Sequence, residues 1–180
     1  MSGEQVILVN ENNEPIGLMP KMEAHEKGVL HRAFSVFIFN DHNQLMLQQR
    51  ARSKYHSPGL WTNTCCTHPF WNENSNVSAL RRLDEELGMK DIFLTKRKTV
   101  EYRSEVPPDL IEHEIVDIFV GKCKSTHPIE INPNEVLETK WLSLSQLRDD
   151  IKKYPDKYTA WVKIYMKSHA KDIFEETDFL

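Results

Sequence analysis

The chain is short of cysteine, glycine and long apolar runs, and each shortage narrows what it can be. Its three cysteines, Cys65, Cys66 and Cys123, are odd in number and two are neighbours, so a disulfide framework is not expected and a reducing cytoplasm is the expected compartment. No wholly apolar stretch approaches the ~20 residues that span a bilayer. The opening Met1-Ser2-Gly3-Glu4-Gln5 lacks the basic-then-apolar order of a secretion signal. Six glycines and nine prolines, scattered through 180 residues, exclude collagen-like and linker composition. Basic charge is also in deficit. The 23 Lys and Arg against 27 Asp and Glu leave a net charge of −4, which disfavours nucleic acid, whose phosphates select basic surfaces. What remains, 39% apolar and 28% charged, suits a folded globular chain, and residues 1–180 are enough for one domain and too few for two. With no heptads and no broad apolar stripe, a monomer is expected.

A second absence is local. Residues 42–72 contain no Asp or Glu, yet hold Arg50, Arg52, Lys54, Cys65, Cys66 and His68. Positive potential confined to one segment of an acidic protein points to a small anionic ligand, and it favours the thiolate form of a nearby cysteine. Each cation alone reads more simply as a solvated strand end. Cations and thiols sharing one window are what point to a ligand.

The elements read as α/β. Residues 5–9 and 15–18 flank the polar turn 10–14 as a hairpin. Residues 33–40, β-branched and aromatic, form a buried strand, and residues 44–49 pair back after the turn 41–43. A helix is predicted over 75–87, with Ser75 as cap, Val77, Leu80, Leu83 and Leu87 on one face and Gly88 as its stop. Strands at 99–104 and 114–122 flank a loop with Pro107-Pro108. A short strand at 139–142 leads to helices at 143–153 and 159–173, separated by Pro155. The expected architecture is a mixed sheet sandwiched between helices.

Several side chains are of the metal-binding kind. Glu112-His113-Glu114 opens an apolar strand, so Glu112 and Glu114 project together while His113 projects away. Two adjacent like charges need a cation. His25 and His31 flank a loop containing Gly28, and His68 lies two residues after Cys66, on the same side if the segment is extended. Three imidazoles with two carboxylates would suit Zn or Mn, although each histidine alone reads as a surface or core imidazole, and the carboxylates alone as an exposed strand face. His42 and His56, in turn and loop settings, are read as ordinary imidazoles.

Glu73, followed after seven residues by Arg81-Arg82-Leu83-Asp84-Glu85-Glu86-Leu87-Gly88-Met89, resembles the Nudix box, a helix that aims carboxylates at a Mg²⁺ bridging diphosphate oxygens. Thr67 stands where the box has its leading Gly, and Arg82 where it has the first Glu of its core. That cation weakens a hydrolytic metal cluster. It suits a protein that holds a diphosphate, and it lies one helical turn before Glu86.

Trp61-Thr62-Asn63-Thr64-Cys65-Cys66-Thr67-His68-Pro69 then narrows the resemblance. With Arg50-Ala51-Arg52-Ser53-Lys54, Pro58-Gly59, Tyr102-Arg103, Glu112-His113-Glu114, His25, His31 and Trp161, it is similar to type I isopentenyl diphosphate isomerases over nearly the whole chain. The resemblance implies a Nudix-like fold and a 1,3-proton shift that interconverts isopentenyl and dimethylallyl diphosphate through a tertiary carbocation. It makes Cys66 and Glu114 the acid–base pair, with Tyr102 assisting Glu114. It implies a Zn²⁺ or Mn²⁺ site of His25, His31, His68, Glu112 and Glu114, and a Mg²⁺ joining Glu86 to the diphosphate. Lys21, Arg50, Lys54 and Arg82 become the diphosphate's partners, and Trp161 the indole facing the cation. Counting back from His68 selects Cys66, which leaves Cys65 as a buried small hydrophobe. The alternatives are a Nudix pyrophosphohydrolase and a non-catalytic, metal-stabilised diphosphate-binding protein.

Overall fold

A computed structural model describes residues 4–175. Residues 1–3, where the sequence was read for a signal, and residues 176–180 lie outside the described residues. β1 (Gln5–Val9) and β2 (Pro15–Pro20) form the antiparallel hairpin expected from the turn signals. A helix absent from the sequence reading, α1 (Lys21–Lys27), follows directly. It stops at Gly28, whose φ of 62° favours glycine and whose missing Cβ would meet Ile111 at 3.0 Å. Seven residues with no long apolar stripe give little periodicity to read, yet this helix buries His25.

β3 (His31–Phe39) is the hub. It pairs in parallel with β8 (Leu110–Lys122) from His31↔Glu114 to Phe39↔Lys122. Its other edge meets β1, β6 (Cys65–Thr67) and β4 (Gln44–Arg50). β5 (Trp61–Thr62) and β9 (Val136–Ser143) pair with β4, and β7 (Leu94–Val106) pairs with β8. The period of two along β3 then divides two cores. Phe34, Val36 and Ile38 face α2 (Ser75–Leu87) through Ala79, Leu83 and Leu87. Ala33, Phe37 and Phe39 face the C-terminal helical segment through Trp161, Val162 and Tyr165. The mixed sheet is therefore covered on both faces.

The remaining elements refine the expectation. Asn74, not Ser75, caps α2, its side chain accepting from the Asn76 N–H at 2.9 Å. Gly88 ends the helix with φ 63°, and a Cβ there would meet Glu130 at 2.8 Å. β7 and β8 run longer than 99–104 and 114–122, because β7 is an edge strand whose exposed residues hide the pattern. Glu112-His113-Glu114 consequently lies inside β8 rather than opening it. α3 (Leu144–Lys153) has a full capping box between Ser143 and Gln146. The expected helix 159–173 is divided into α4 (Ala160–Ile164), a π-helical turn (Tyr165–His169) and α5 (Ala170–Ile173).

Candidate active site

Strand registry brings the sequence motifs together. In β6, Cys65 lies opposite Val36 and Cys66 opposite Ser35, so the two thiols take opposite faces of the sheet. Cys65 is fully buried among the α2 core. Cys66 turns toward a narrow cleft that is also lined by Lys21, Arg50, Lys54, His68, Glu114 and Trp161. The Ser35 hydroxyl donates to Cys66 Sγ at 3.1 Å and stands 3.0 Å from the Tyr165 hydroxyl. Asn63 secures the strand pair by donating to the Val36 and Cys65 carbonyls, while its Oδ1 accepts the Trp161 indole N–H at 3.2 Å. Thr64 bridges Ile38 N–H and the Met46 carbonyl. The Trp-Thr-Asn run thus fixes the position of both Cys66 and Trp161.

β8 supplies the carboxylates. Tyr102 of β7 lies opposite Glu114, and its hydroxyl donates to Glu114 Oε2 at 2.7 Å and stands 3.1 Å from Glu112 Oε2. Both carboxylates are buried. Burial and the charge of Glu114 push Glu112 well above the carboxylate range. Burial also opposes ionisation of Glu114, but His31 and His68 outweigh it and hold Glu114 well below that range. Burial, Glu112 and Glu114 raise Tyr102, so its phenol stays protonated.

The histidines converge on the same carboxylates. The ligand atoms of His25, His31, His68 and Glu114 all lie within 4.8 Å of one another. His25 Nδ1 and His31 Nδ1 sit 2.8 Å from the Lys21 and Val29 carbonyls, so each Nδ1–H donates to backbone and each Nε2 is turned toward the cluster. His68 Nε2 is 3.0 Å from Glu114 Oε1. His31 Nε2 faces that oxygen at 3.4 Å, buried and without the alignment of a hydrogen bond. Burial depresses His25 to about 4 and also lowers His68, which keeps both imidazoles neutral. Neutral imidazoles aimed at an ionised carboxylate are the donor set a divalent transition ion takes, and these residues fit one.

His56, read as an ordinary surface or core imidazole, is of the core kind at 4% exposure: the loop folds inward and Arg50 donates to the His56 carbonyl at 3.1 Å. With His25 and Glu112 it forms a second group of ligand atoms within 4.8 Å. Glu112, expected in one set with the other ligands, belongs to this adjoining group, and His25 is shared by both. Burial and then the Arg50 charge lower His56 to about 2.

The cations occupy the other end. Arg82 donates to Glu86 Oε1 at 2.6 Å and to Glu85 Oε2 at 2.8 Å, and reaches Glu135 at 3.3 Å. Lys54 meets Glu135 at 2.5 Å, and Gln48 donates to Glu86 Oε2 at 2.8 Å. Lys21 is paired with Glu4. Arg50 stacks its guanidinium 5.2 Å from the Trp161 ring centre. Gln48, Lys54, Glu86 and Glu135 line a cavity that also includes Arg50, Cys66 and Thr67. The cations of this segment do not produce the expected thiolate. Burial, and after it the Glu114 charge, raise Cys66 well above the usual thiol range. Glu135, Ser35 and Tyr165 were not picked out from the sequence. No signal marks Ser35 and Tyr165. The proximity of Glu135 to Lys54 spans 81 residues of chain.

The sheet, the helix α2 and the carboxylates at its C-terminal end define the class: residues 29–162 match the NUDIX domain. The fold is also that of DR0079 from Deinococcus radiodurans, with a TM-score of 0.74 at 17% identity, covering 92% of this chain and 99% of that one. A MutT NUDIX hydrolase from Burkholderia pseudomallei superposes with a TM-score of 0.58 at 18% identity, over 78% of this chain and 98% of that one. Sequence relatives are more specific. The isopentenyl-diphosphate Delta-isomerase of Jannaschia sp. (strain CCS1) is 50% identical over 93% of both chains. That of Roseobacter denitrificans is 46% identical over 93% of this chain and 95% of its own. The chain belongs to the isopentenyl-diphosphate Delta-isomerase family. Among the described residues, no helix is long and apolar enough to cross a membrane.

Proposed function

We propose that this cleft interconverts isopentenyl and dimethylallyl diphosphate, with Cys66 and Glu114 as the two proton-carrying groups. The observation that carries the reading is that a thiol and a carboxylate from different strands line one narrow cavity, with Trp161 on the same cavity wall. One group adds a proton to the terminal alkene carbon, leaving a tertiary cation at the neighbouring carbon. The other removes a proton from the carbon beyond, and the double bond moves one place. The reverse direction exchanges the two roles. Tyr102 holds Glu114 by its hydroxyl throughout. The Trp161 face attracts a carbocation by ~0.5–2 kcal/mol and offers it no lone pair. Burial excludes water, which would add to the cation and give an alcohol.

Lys21, Arg50, Lys54 and Arg82 bind the diphosphate in this reading. Glu86 would hold a Mg²⁺ against it, and Arg82 replaces a carboxylate that hydrolytic chemistry would use. A Zn²⁺ or Mn²⁺ held by His25, His31, His68, Glu112 and Glu114 would supply fixed positive charge that keeps Glu114 in place. Three free thiols suit a reducing compartment, the cytoplasm, and the chain would act as a monomer. The test is turnover of isopentenyl diphosphate with Mg²⁺ in D₂O. Deuterated dimethylallyl diphosphate without phosphate release is expected. Release of phosphate would instead favour the pyrophosphohydrolase, and recovery of unlabelled substrate alone would end the isomerase reading.

A further inference from the structure

The segment between β4 and β5 carries a histidine that the acid–base scheme does not use. His56 is buried at 4% exposure, and its Nε2 faces Glu112 Oε1 at 3.4 Å. The other oxygen of Glu112 stands 3.1 Å from the Tyr102 hydroxyl of β7. Glu112 is therefore flanked on two sides, by a strand and by a loop. The loop is itself fixed. Arg50 donates to the His56 carbonyl, Gly59 N–H donates to the Arg50 carbonyl at 3.0 Å, and Gln49 donates to the Gly59 carbonyl at 2.9 Å. Ser57, at φ 49°, places its hydroxyl 3.3 Å from His56 Nδ1. A hydroxyl donating to Nδ1 leaves the proton on Nε2, the atom that looks at Glu112. On its flanks the ring meets Tyr55 with centres 4.3 Å apart and Trp161 at 5.7 Å, both edge-on, and it stacks on His25 at 5.6 Å.

We propose that His56 is a positioning residue of the metal centre, holding the Glu112 carboxylate from the loop side toward the ligand set of His25, His31, His68 and Glu114. The proposal rests on the metal-site part of the reading above and not on the isomerase chemistry. His56 acts through Glu112 and shares the wall of His25 without competing for its Nε2. Groups that orient a metal-binding carboxylate are worth roughly 10- to 100-fold in metal affinity. They are invisible to a motif search, because a loop histidine has no fixed spacing to the strand it serves.

The experiment measures the Mn²⁺ and Zn²⁺ dissociation constants of the full-length protein by competition with a chromophoric chelator, without substrate. His56→Ala is expected to weaken binding about 10- to 100-fold. His56→Gln, which keeps an N–H donor at similar reach, is expected to recover most of that loss. Glu112→Gln is expected to weaken binding by itself, and adding His56→Ala to it to change the constant by less than about twofold, since the two residues form one unit. Wild-type affinity in His56→Ala overturns the proposal. So does full additivity in the double variant, which would make His56 an independent donor or a packing residue, and so does failure of Gln to rescue. If His56→Ala does not fold, the Gln variant and its pairing with Glu112→Gln decide the question. A protein that binds metal as expected yet fails the D₂O assay would leave this proposal standing and remove the isomerase.

Discussion

The two ends of the cleft are built from opposite materials. The histidine end is drawn from α1, β3, the residue after β6, and β8, is buried, and ends in imidazole nitrogens facing one ionised oxygen. Its His31 Nε2 has no aligned partner. The arginine end is drawn from α2 and two loops, is partly open, and is already saturated: Arg82 with Glu85, Glu86 and Glu135, and Lys54 with Glu135. A buried lone pair without a partner costs free energy that a bound cation would return. Paired surface charges cost little, and they can exchange one partner for another. The first end is thus suited to a resident ion, the second to a ligand that comes and goes. Cys66 lies between them and answers to the first, since burial and Glu114, not the cations, set its protonation.

The largest break in this comparison comes from the thiols. Cys66→Ala is expected to lower kcat by about 100- to 10,000-fold, the range of a lost general acid or base, with bound metal retained. Cys65→Ala, on the other sheet face, should keep activity within a few-fold and lose about 1 kcal/mol of stability. Equal kinetic loss in both would show that the faces are misassigned. Next comes the ion itself. Mn²⁺ or Zn²⁺ at about 100 times its dissociation constant should stabilise the stripped protein by roughly 2.7 kcal/mol in thermal unfolding. Glu114→Gln should abolish that shift while Arg82→Gln leaves it intact; a shift lost in Arg82→Gln would mean that the two ends are one metal site. Smaller again, Arg82→Glu restores the hydrolase-like box and should raise KM for the diphosphate about 10-fold or more, with kcat changed less. An unchanged KM would remove Arg82 from the ligand's partners.

Legibility followed the range of the contacts. The β1–β2 hairpin, β3, β4 and α2 were readable because turn residues, β-branched runs and helical spacing are local. The opposed faces of Cys65 and Cys66 follow from the period of two once β6 is extended. α1 was missed because seven residues between a Pro and a Gly show no periodicity, so His25 was read only as flanking a loop. β7 and β8 were read short because an edge strand with a solvated face looks like a loop. The burial of His56 depends on Arg50, Gln49 and Gly59 closing a loop, which no spacing records. The acid-free window supplies Arg50, Lys54, Cys66 and His68, which line the cleft together. Its electrostatic consequence was reversed for Cys66, since burial and the Glu114 carboxylate from β8 raise the thiol. Charge counted along a sequence says nothing about charge folded onto it.

The smallest effect tests how the arginine end is anchored. Glu73 accepts from Arg81 at 2.9 Å through both oxygens and from the Phe70 N–H at 3.0 Å, and these bonds, the Arg81 pair first, bring its carboxyl from the ordinary 4.5 down to about 2. A carboxylate depressed in the folded state stabilises fully above its unfolded value and loses that contribution as pH falls from about 4.5 through about 2. Glu73→Gln should therefore lower thermal stability at neutral pH, and the gap from wild type should narrow as acid is added. For a partly exposed pair the gap should stay under about 1 kcal/mol. The histidine end should not share this acid-side dependence on Glu73, so the metal dissociation constant of Glu73→Gln is expected to match wild type at every pH. A gap in stability that stays constant down to about pH 3 would mean that Glu73 contributes packing at the start of α2 and no charge.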